Sequence, residues 1–136
     1  ENNVDSGEGG FIGGGCGNCS TVCYATIVGG EDNCITGIYS SVGGGNSNTV
    51  DSGSYTVIAG GCNNRTCANC FAFIFGKNNC LSHNDAAIIG SDLDSVAAET
   101  LHAKCLYLSA GALPTSDPSV AGIVWRDGTD LKISVG

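Results

Sequence analysis

Two cysteine pairs with C-x-x-C spacing, Cys16/Cys19 and Cys67/Cys70, are the residues of this chain whose type and spacing come nearest to known chemistry, as zinc thiolates or a dithiol redox couple. Cys23, Cys34, Cys62, Cys80 and Cys105 bring the count to nine. The surroundings weaken both uses. The 47 residues between the pairs far exceed the spacing in a zinc ribbon, no histidine stands at ligand spacing, and no βαβ pattern surrounds either pair. No metal or other cofactor is therefore expected. The carboxylates are as unpromising for acid–base work. Asp92, Asp94, Asp117, Asp127 and Asp130 fall mostly in turn contexts, and His83 and His102 stand 19 residues apart. No GxSxG, HExxH or phosphate-loop motif occurs, and the glycine runs Gly13–Gly15 and Gly43–Gly45 precede no helix. No catalytic residue is assigned. The sequons at Asn18 and Asn64 coincide with a structural repeat, and Trp125, Arg126 and Asp127 remain the candidate binding residues.

The elements that must carry these residues are set by that repeat. A glycine is followed three residues later by an asparagine at Gly15/Asn18, Gly30/Asn33, Gly45/Asn48, Gly61/Asn64 and Gly76/Asn79, in steps of 15, 15, 16 and 15 residues. A period this short cannot fold alone, so each copy is expected to be one rung of a stacked β-structure. Three residues before each glycine stand Ile12, Ile27, Val42, Ile58 and Phe73, and two after each asparagine Ser20, Ile35, Val50, Thr66 and Leu81, which predicts two inward columns. A sixth, degenerate rung is predicted with Ile88, Ser91, Asp94 and Val96 in the four repeat positions. Asparagine suits the corner because it enters the left-handed region, and stacked copies can form an amide ladder. The same frame spreads the cysteines: Cys19, Cys34 and Cys80 follow the repeat asparagine, and Cys16 and Cys62 follow the glycine. Most are expected inside as small apolar side chains. Rungs about 4.8 Å apart also leave disulfides between rungs or chains open, and the odd count leaves at least one cysteine unpaired within its chain.

Asn2 to Gly7 matches Asn48 to Gly53, so the chain reads as starting mid-repeat, within a longer rod. With 22 glycines in 136 residues and two or three inward residues per coil, the core is expected to be thin and shared with neighbouring subunits. Phe71, Phe73 and Phe75 alternate onto one face, expected to be buried in that assembly. Net charge is −8 with only five Lys and Arg, which argues against nucleic acid and anionic membranes as partners, and no segment reads as membrane-inserting. The expected organisation is a roll of about six rungs over 1–98, then 99–136 with a strand leaving the roll at Leu101, a proline linker at Pro114 and Pro118, and a capping β-hairpin around Asp127-Gly128.

YATIVGGEDN from Tyr24, YSSVGGGNSN from Tyr39 and YTVIAGGCNN from Tyr55 resemble the head repeats of trimeric autotransporter adhesins and related viral fibres. LPTSDPSVAGIVWRDGTDLKIS, from Leu113 to Ser134, resembles the closing segment of bacteriophage-type tail fibres and other virion structural proteins. The resemblance implies an all-β, short-period β-solenoid or β-roll in a parallel homotrimer. It implies a non-enzymatic virion fibre or fibre tip, on the extracellular virion surface, that attaches to a host-cell glycan or protein and joins other virion proteins through upstream sequence. A structural spacer or appendage filament, or a bacterial adhesin head, shares these features. A glycan depolymerase is disfavoured by the carboxylates, and ice binding by the lack of any column with threonine on most rungs.

Overall fold

A computed structural model describes residues 2–67, 70–104, 114–116, 119, 124–127 and 130–135. These form two compact units, Glu1–Lys104 and Cys105–Gly136.

The first unit is an all-β solenoid of about seven turns with a period of about 15 residues. Its strands are β1 Val4–Asp5, β2 Phe11–Ile12, β3 Cys19–Ser20, β4 Thr26–Ile27, β5 Cys34–Ile35, β6 Ser41–Val42, β7 Thr49–Val50, β8 Val57–Cys62, β9 Arg65–Thr66, β10 Phe73–Lys77, β11 Cys80–Leu81, β12 Ala87–Ser91 and β13 Leu101–Ala103. Odd strands β1 to β11 stack in order as a six-stranded parallel sheet, and β2, β4, β6, β8, β10, β12 and β13 as a seven-stranded one. Leu101–Ala103, expected to leave the roll, thus completes it, paired in parallel with Ala87–Ile89.

Each turn sends four positions inward. Ser20, Ile35, Val50, Thr66 and Leu81 form one column, fully buried as the sequence predicts. The large apolar column runs Ile27, Val42, Ile58, Ile74, Ile88. Ile74 replaces the expected Phe73, which pairs with Val57 and stays partly exposed. The reason is a one-residue register shift: Ile58 faces Ile74 but Gly60 faces Phe75, leaving Ala59 as the extra residue. The last rung shifts likewise. Gly90 pairs with Gly76, Leu93 donates its N–H to Asn79 Oδ1 (3.2 Å), and Ser95 is buried, so these take the places expected for Ser91, Asp94 and Val96. Val96 is 80% exposed, and Asp94 bridges to Cys80. A third column of small residues, Ala25, Ser40, Thr56, Ala72 and Ala86, lies two positions before the large one.

The fourth column is asparagine, and the predicted ladder forms. Asn18, Asn33, Asn48, Asn64 and Asn79 are buried, and each Oδ1 from Asn3 to Asn64 accepts both the backbone N–H and the Nδ2 of the asparagine one turn on, at 2.9–3.2 Å. Each Nδ2 from Asn18 to Asn79 also donates to a glycine carbonyl of the next turn, at 2.7–3.0 Å. The paired glycine is sterically required: a Cβ on Gly61, at φ +112°, would lie 1.7 Å from the Gly76 carbonyl oxygen. With four columns the interior closes within one chain, so the core is not left for a neighbour to complete.

In the second unit, β14 Val124–Asp127 and β15 Asp130–Ile133 form the expected antiparallel hairpin, with Val124 opposite Ile133 and Asp127 opposite Asp130.

Candidate functional site

Each turn bends at two corners that need a left-handed backbone. The first corner column is Gly9, Tyr24, Tyr39, Tyr55, Phe71, Asp85 and Glu99, with φ between +52° and +68°. Each corner N–H donates to the carbonyl preceding the equivalent corner one turn earlier: Tyr39 to Cys23 (3.4 Å), Phe71 to Ser54 (3.1 Å), Asp85 to Cys70 and Glu99 to Asn84 (3.2 Å each). The left-handed backbone costs a residue other than glycine about 1–2 kcal/mol. Ring stacking offsets it. Tyr24, Tyr39, Tyr55 and Phe71 form a continuous ladder with centroids 5.1, 5.2 and 5.2 Å apart and planes within 1°, 6° and 9° of parallel. Each such contact contributes about 0.5–1.5 kcal/mol.

The ladder stops at Phe71, because the next two corners carry Asp85 and Glu99. Beyond the last ring lies an open groove of 520 Å³ lined by Phe71, Phe73, Asp85, Glu99, Thr100 and Leu101 among others. Phe71 remains 58% exposed. Among the described residues, ion pairs join Arg65 to Asp51, and Lys104 to Asp92 at 3.7 Å; Asp85 and Glu99 are in neither.

The second corner column holds Asp32, Ser47, Asn63, Asn78 and Asp92. Asn63 Nδ2 donates to Asn78 Oδ1 (3.1 Å) and Asn78 Nδ2 to Asp92 Oδ1 (2.9 Å). The Asn78 hydrogen bond, helped by Lys104, holds the Asp92 carboxyl below the usual range, so Asp92 is an anion ending a polar ladder. His83 Nδ1 lies 2.8 Å from Ser95 Oγ, and His102 Nε2 2.7 Å from Thr100 Oγ1. These contacts give both histidines structural partners.

The cysteines depart from expectation. None of the eight described is interior: Cys16 is exposed, and Cys19, Cys23, Cys34, Cys62, Cys67, Cys70 and Cys80 are half-buried. The inward columns are taken by asparagine and aliphatic residues, so the positions after the repeat asparagine point outward by strand alternation. No disulfide joins the described cysteines. Cys19 and Cys34 are register partners. Burial and then the Cys19 neighbour push the Cys34 thiol up, and burial and then Cys67 push Cys80 up, which makes both poor nucleophiles. No group of three or more His, Cys, Asp or Glu among the described residues is placed to hold a metal. Cys105 lies outside the described residues.

Trp125, Arg126 and Asp127 sit on β14 opposite Lys132, Leu131 and Asp130; their side chains lie outside the described set, as does most of the proline linker. The structure thus brings together Phe71, Asp85 and Glu99, which sequence reasoning did not join. The available signal was the 15- and 16-residue spacing of Tyr24, Tyr39, Tyr55 and Phe71.

The outer face of the seven-stranded sheet is distinctive. Phe11, Val28, Val57, Phe73, Phe75, Ile89 and Leu101 are exposed on it at 37–58%. The residues between them in the same two outward columns are Gly13, Thr26, Ser41, Gly43, Ala59, Ala87 and Ala103, so no charge falls in these two columns, and the exposed Lys77 ends β10 two residues beyond Phe75. Among the described residues no helix is long and apolar enough to cross a membrane. No known protein family matches the chain, and no curated protein or solved structure matches it either.

Proposed function

We propose that this chain is part of a non-enzymatic, homotrimeric fibre of a virion surface, serving attachment to a host cell. The observation that carries the assembly is the uncharged, largely apolar pair of columns across the seven-stranded sheet, in a chain with 13 acidic residues. Its six inter-strand steps of about 4.8 Å make it about 29 Å long. A continuous patch of that kind is unusual on a monomer and suits association with other copies, whose like charges then stay apart. The repeat and tail resemblances supply the virion and the trimer. Three chains at −8 each give −24.

Non-enzymatic action is supported by the engagement of Asp92 with Asn78 and Lys104. A capping role for the hairpin and a binding role for Trp125, Arg126 and Asp127 belong to the same proposal.

Analytical ultracentrifugation at micromolar concentration tests it. The expected species has three times the 13.6 kDa chain mass, and a monomer refutes the assembly. Phe75→Asp and Val28→Asp should shift it towards monomer, whereas Thr21→Asp should not. Adsorption to host cells, with and without the residues from Leu113 onward, separates a binding tip from a spacer: loss on truncation favours the tip.

A further inference from the structure

The open end of the aromatic ladder is a binding position, and we propose that it takes a guanidinium cation, the arginine side chain of a basic segment on a partner protein. The ladder advances one ring per turn at 5.1–5.2 Å, and the step after Phe71 carries no ring. A planar group stacked on the open face of Phe71 would occupy the level of the Asp85 turn. There the Asp85 carboxylate can accept N–H bonds from its edge, while Glu99, one turn further along the same corner column, also lines the groove. Guanidinium meets each of these demands: it is planar, it stacks on aromatic faces, and its fork of donors fits a carboxylate. An ammonium lacks the plane, and an acidic ligand is repelled.

Two further observations favour this occupant. Among the described residues neither Asp85 nor Glu99 forms an ion pair, whereas Asp51 and Asp92 do. The left-handed backbone of Phe71, Asp85 and Glu99 is held by the corner hydrogen bonds of successive turns, so the three side chains leave a rigid scaffold. Phe73 and Leu101, on the face proposed to join protomers, form one wall, which puts the groove at the rim of that face.

The inference rests on the attachment reading only in assigning the arginine to a host-surface protein. The test is NMR titration of the full chain with the peptides Gly-Arg-Gly and Gly-Lys-Gly and with N-acetylglucosamine, following the Phe71 and Tyr55 ring protons. The arginine peptide should shift these signals saturably and bind about threefold or more tighter than the lysine peptide. Asp85→Asn keeps a residue that tolerates the left-handed region and should weaken arginine binding by about fivefold; Phe71→Leu should do the same. No saturable shift, equal binding of the two peptides, or binding unchanged in Asp85→Asn overturns the proposal; tighter binding of the neutral sugar makes the site a glycan site and also overturns it. Cell adsorption of Asp85→Asn separates the two readings. Arginine binding lost with adsorption unchanged sinks the assignment to attachment and leaves the cation site standing. A wild-type chain that binds the arginine peptide but does not adsorb refutes attachment alone.

Discussion

Asn48→Ala should be among the costliest single changes in the roll, although it touches no ligand. Asn48 Oδ1 accepts the backbone N–H of Asn64 at 3.2 Å and its Nδ2 at 2.9 Å, and Asn48 Nδ2 donates to Asn33 Oδ1 (3.0 Å), Gly44 O (3.1 Å) and Gly61 O (3.0 Å). Several partners survive the truncation. Asn64 Nδ2 keeps Gly60 O and Gly76 O, Asn33 Oδ1 keeps the residue 48 N–H, and Gly61 O keeps the Asn46 N–H. The Asn64 backbone N–H loses its acceptor in a fully buried position, a penalty of about 1–3 kcal/mol. Adding the lost amide bonds and the cavity brings the expected loss to about 3 kcal/mol, or roughly 12 °C in Tm for a unit of this size. Two controls frame the measurement, which is urea and thermal unfolding followed by far-UV circular dichroism at fixed protein concentration. Thr49→Ala, on the outward neighbour, should cost less than about 1 kcal/mol. Asn3→Ala, at the exposed end of the ladder where water can replace the acceptor, should also cost under about 1 kcal/mol. If Asn48→Ala destabilises no more than Asn3→Ala, the buried amide ladder is not what fixes the turns.

Three other outcomes follow from the same columns. Thr66 Oγ1 is buried without a hydrogen-bond partner between Val50 and Leu81 of its column, so Thr66→Val should stabilise the roll by about 1 kcal/mol, measured by the same unfolding curves. At Tyr39, glycine removes the left-handed strain but loses both ring contacts, for a net loss of about 1 kcal/mol, whereas Tyr39→Val keeps the strain and should lose about twice that; the opposite order would show that this corner carries no strain for glycine to relieve, and a stabilising Tyr39→Gly that stacking does not offset it. Burial, then Cys19, raises the Cys34 thiol pKa, so in the folded chain Cys34 should alkylate more slowly near pH 8 than it does after unfolding, as read by mass spectrometry. The folded state holds that proton more tightly, so this contribution to stability is present below the unfolded thiol pKa and lost as pH rises through the folded one.

The Gly and Asn spacing made the solenoid, the amide ladder and the column from Ser20 to Leu81 readable, because each rests on a residue type that few other positions tolerate. The large apolar column was readable at Ile27, Val42, Ile58 and again at Ile88, and failed at Phe73, where Ile74 points inward. From Val50 to Tyr55 and from Thr66 to Phe71 the corner is five residues rather than four, and after Ile74 the link to glycine shortens from Ile58-Ala59-Gly60-Gly61 to Ile74-Phe75-Gly76. One insertion and one deletion nearly cancel in the count from glycine to glycine. The repeat length therefore survived while the inward frame slid by one, and Phe73 took the place that Ile74 holds. The cysteines were misplaced for a different reason. Composition makes cysteine a core residue, but here the interior already holds one asparagine, one small and two larger residues per turn.

The columns also explain why the candidate site lies where it does. In a solenoid each turn is stabilised mainly by its neighbours, so a column of identical groups contributes most when unbroken, and any replacement exposes the last member. The asparagine ladder ends at Asn79, where Leu93 supplies an N–H and an apolar side chain packed against the core. The aromatic ladder ends one turn earlier, at Phe71, and there no apolar side chain follows to cover it. The two endings differ in kind. An amide ladder inside the roll must be closed, because an orphaned buried acceptor is costly, whereas a ring ladder on the surface can be left open at little cost to folding. Leaving it open, with Asp85 and Glu99 as the next two members of the column, leaves an apolar face and two carboxylates where further rings would otherwise be covered.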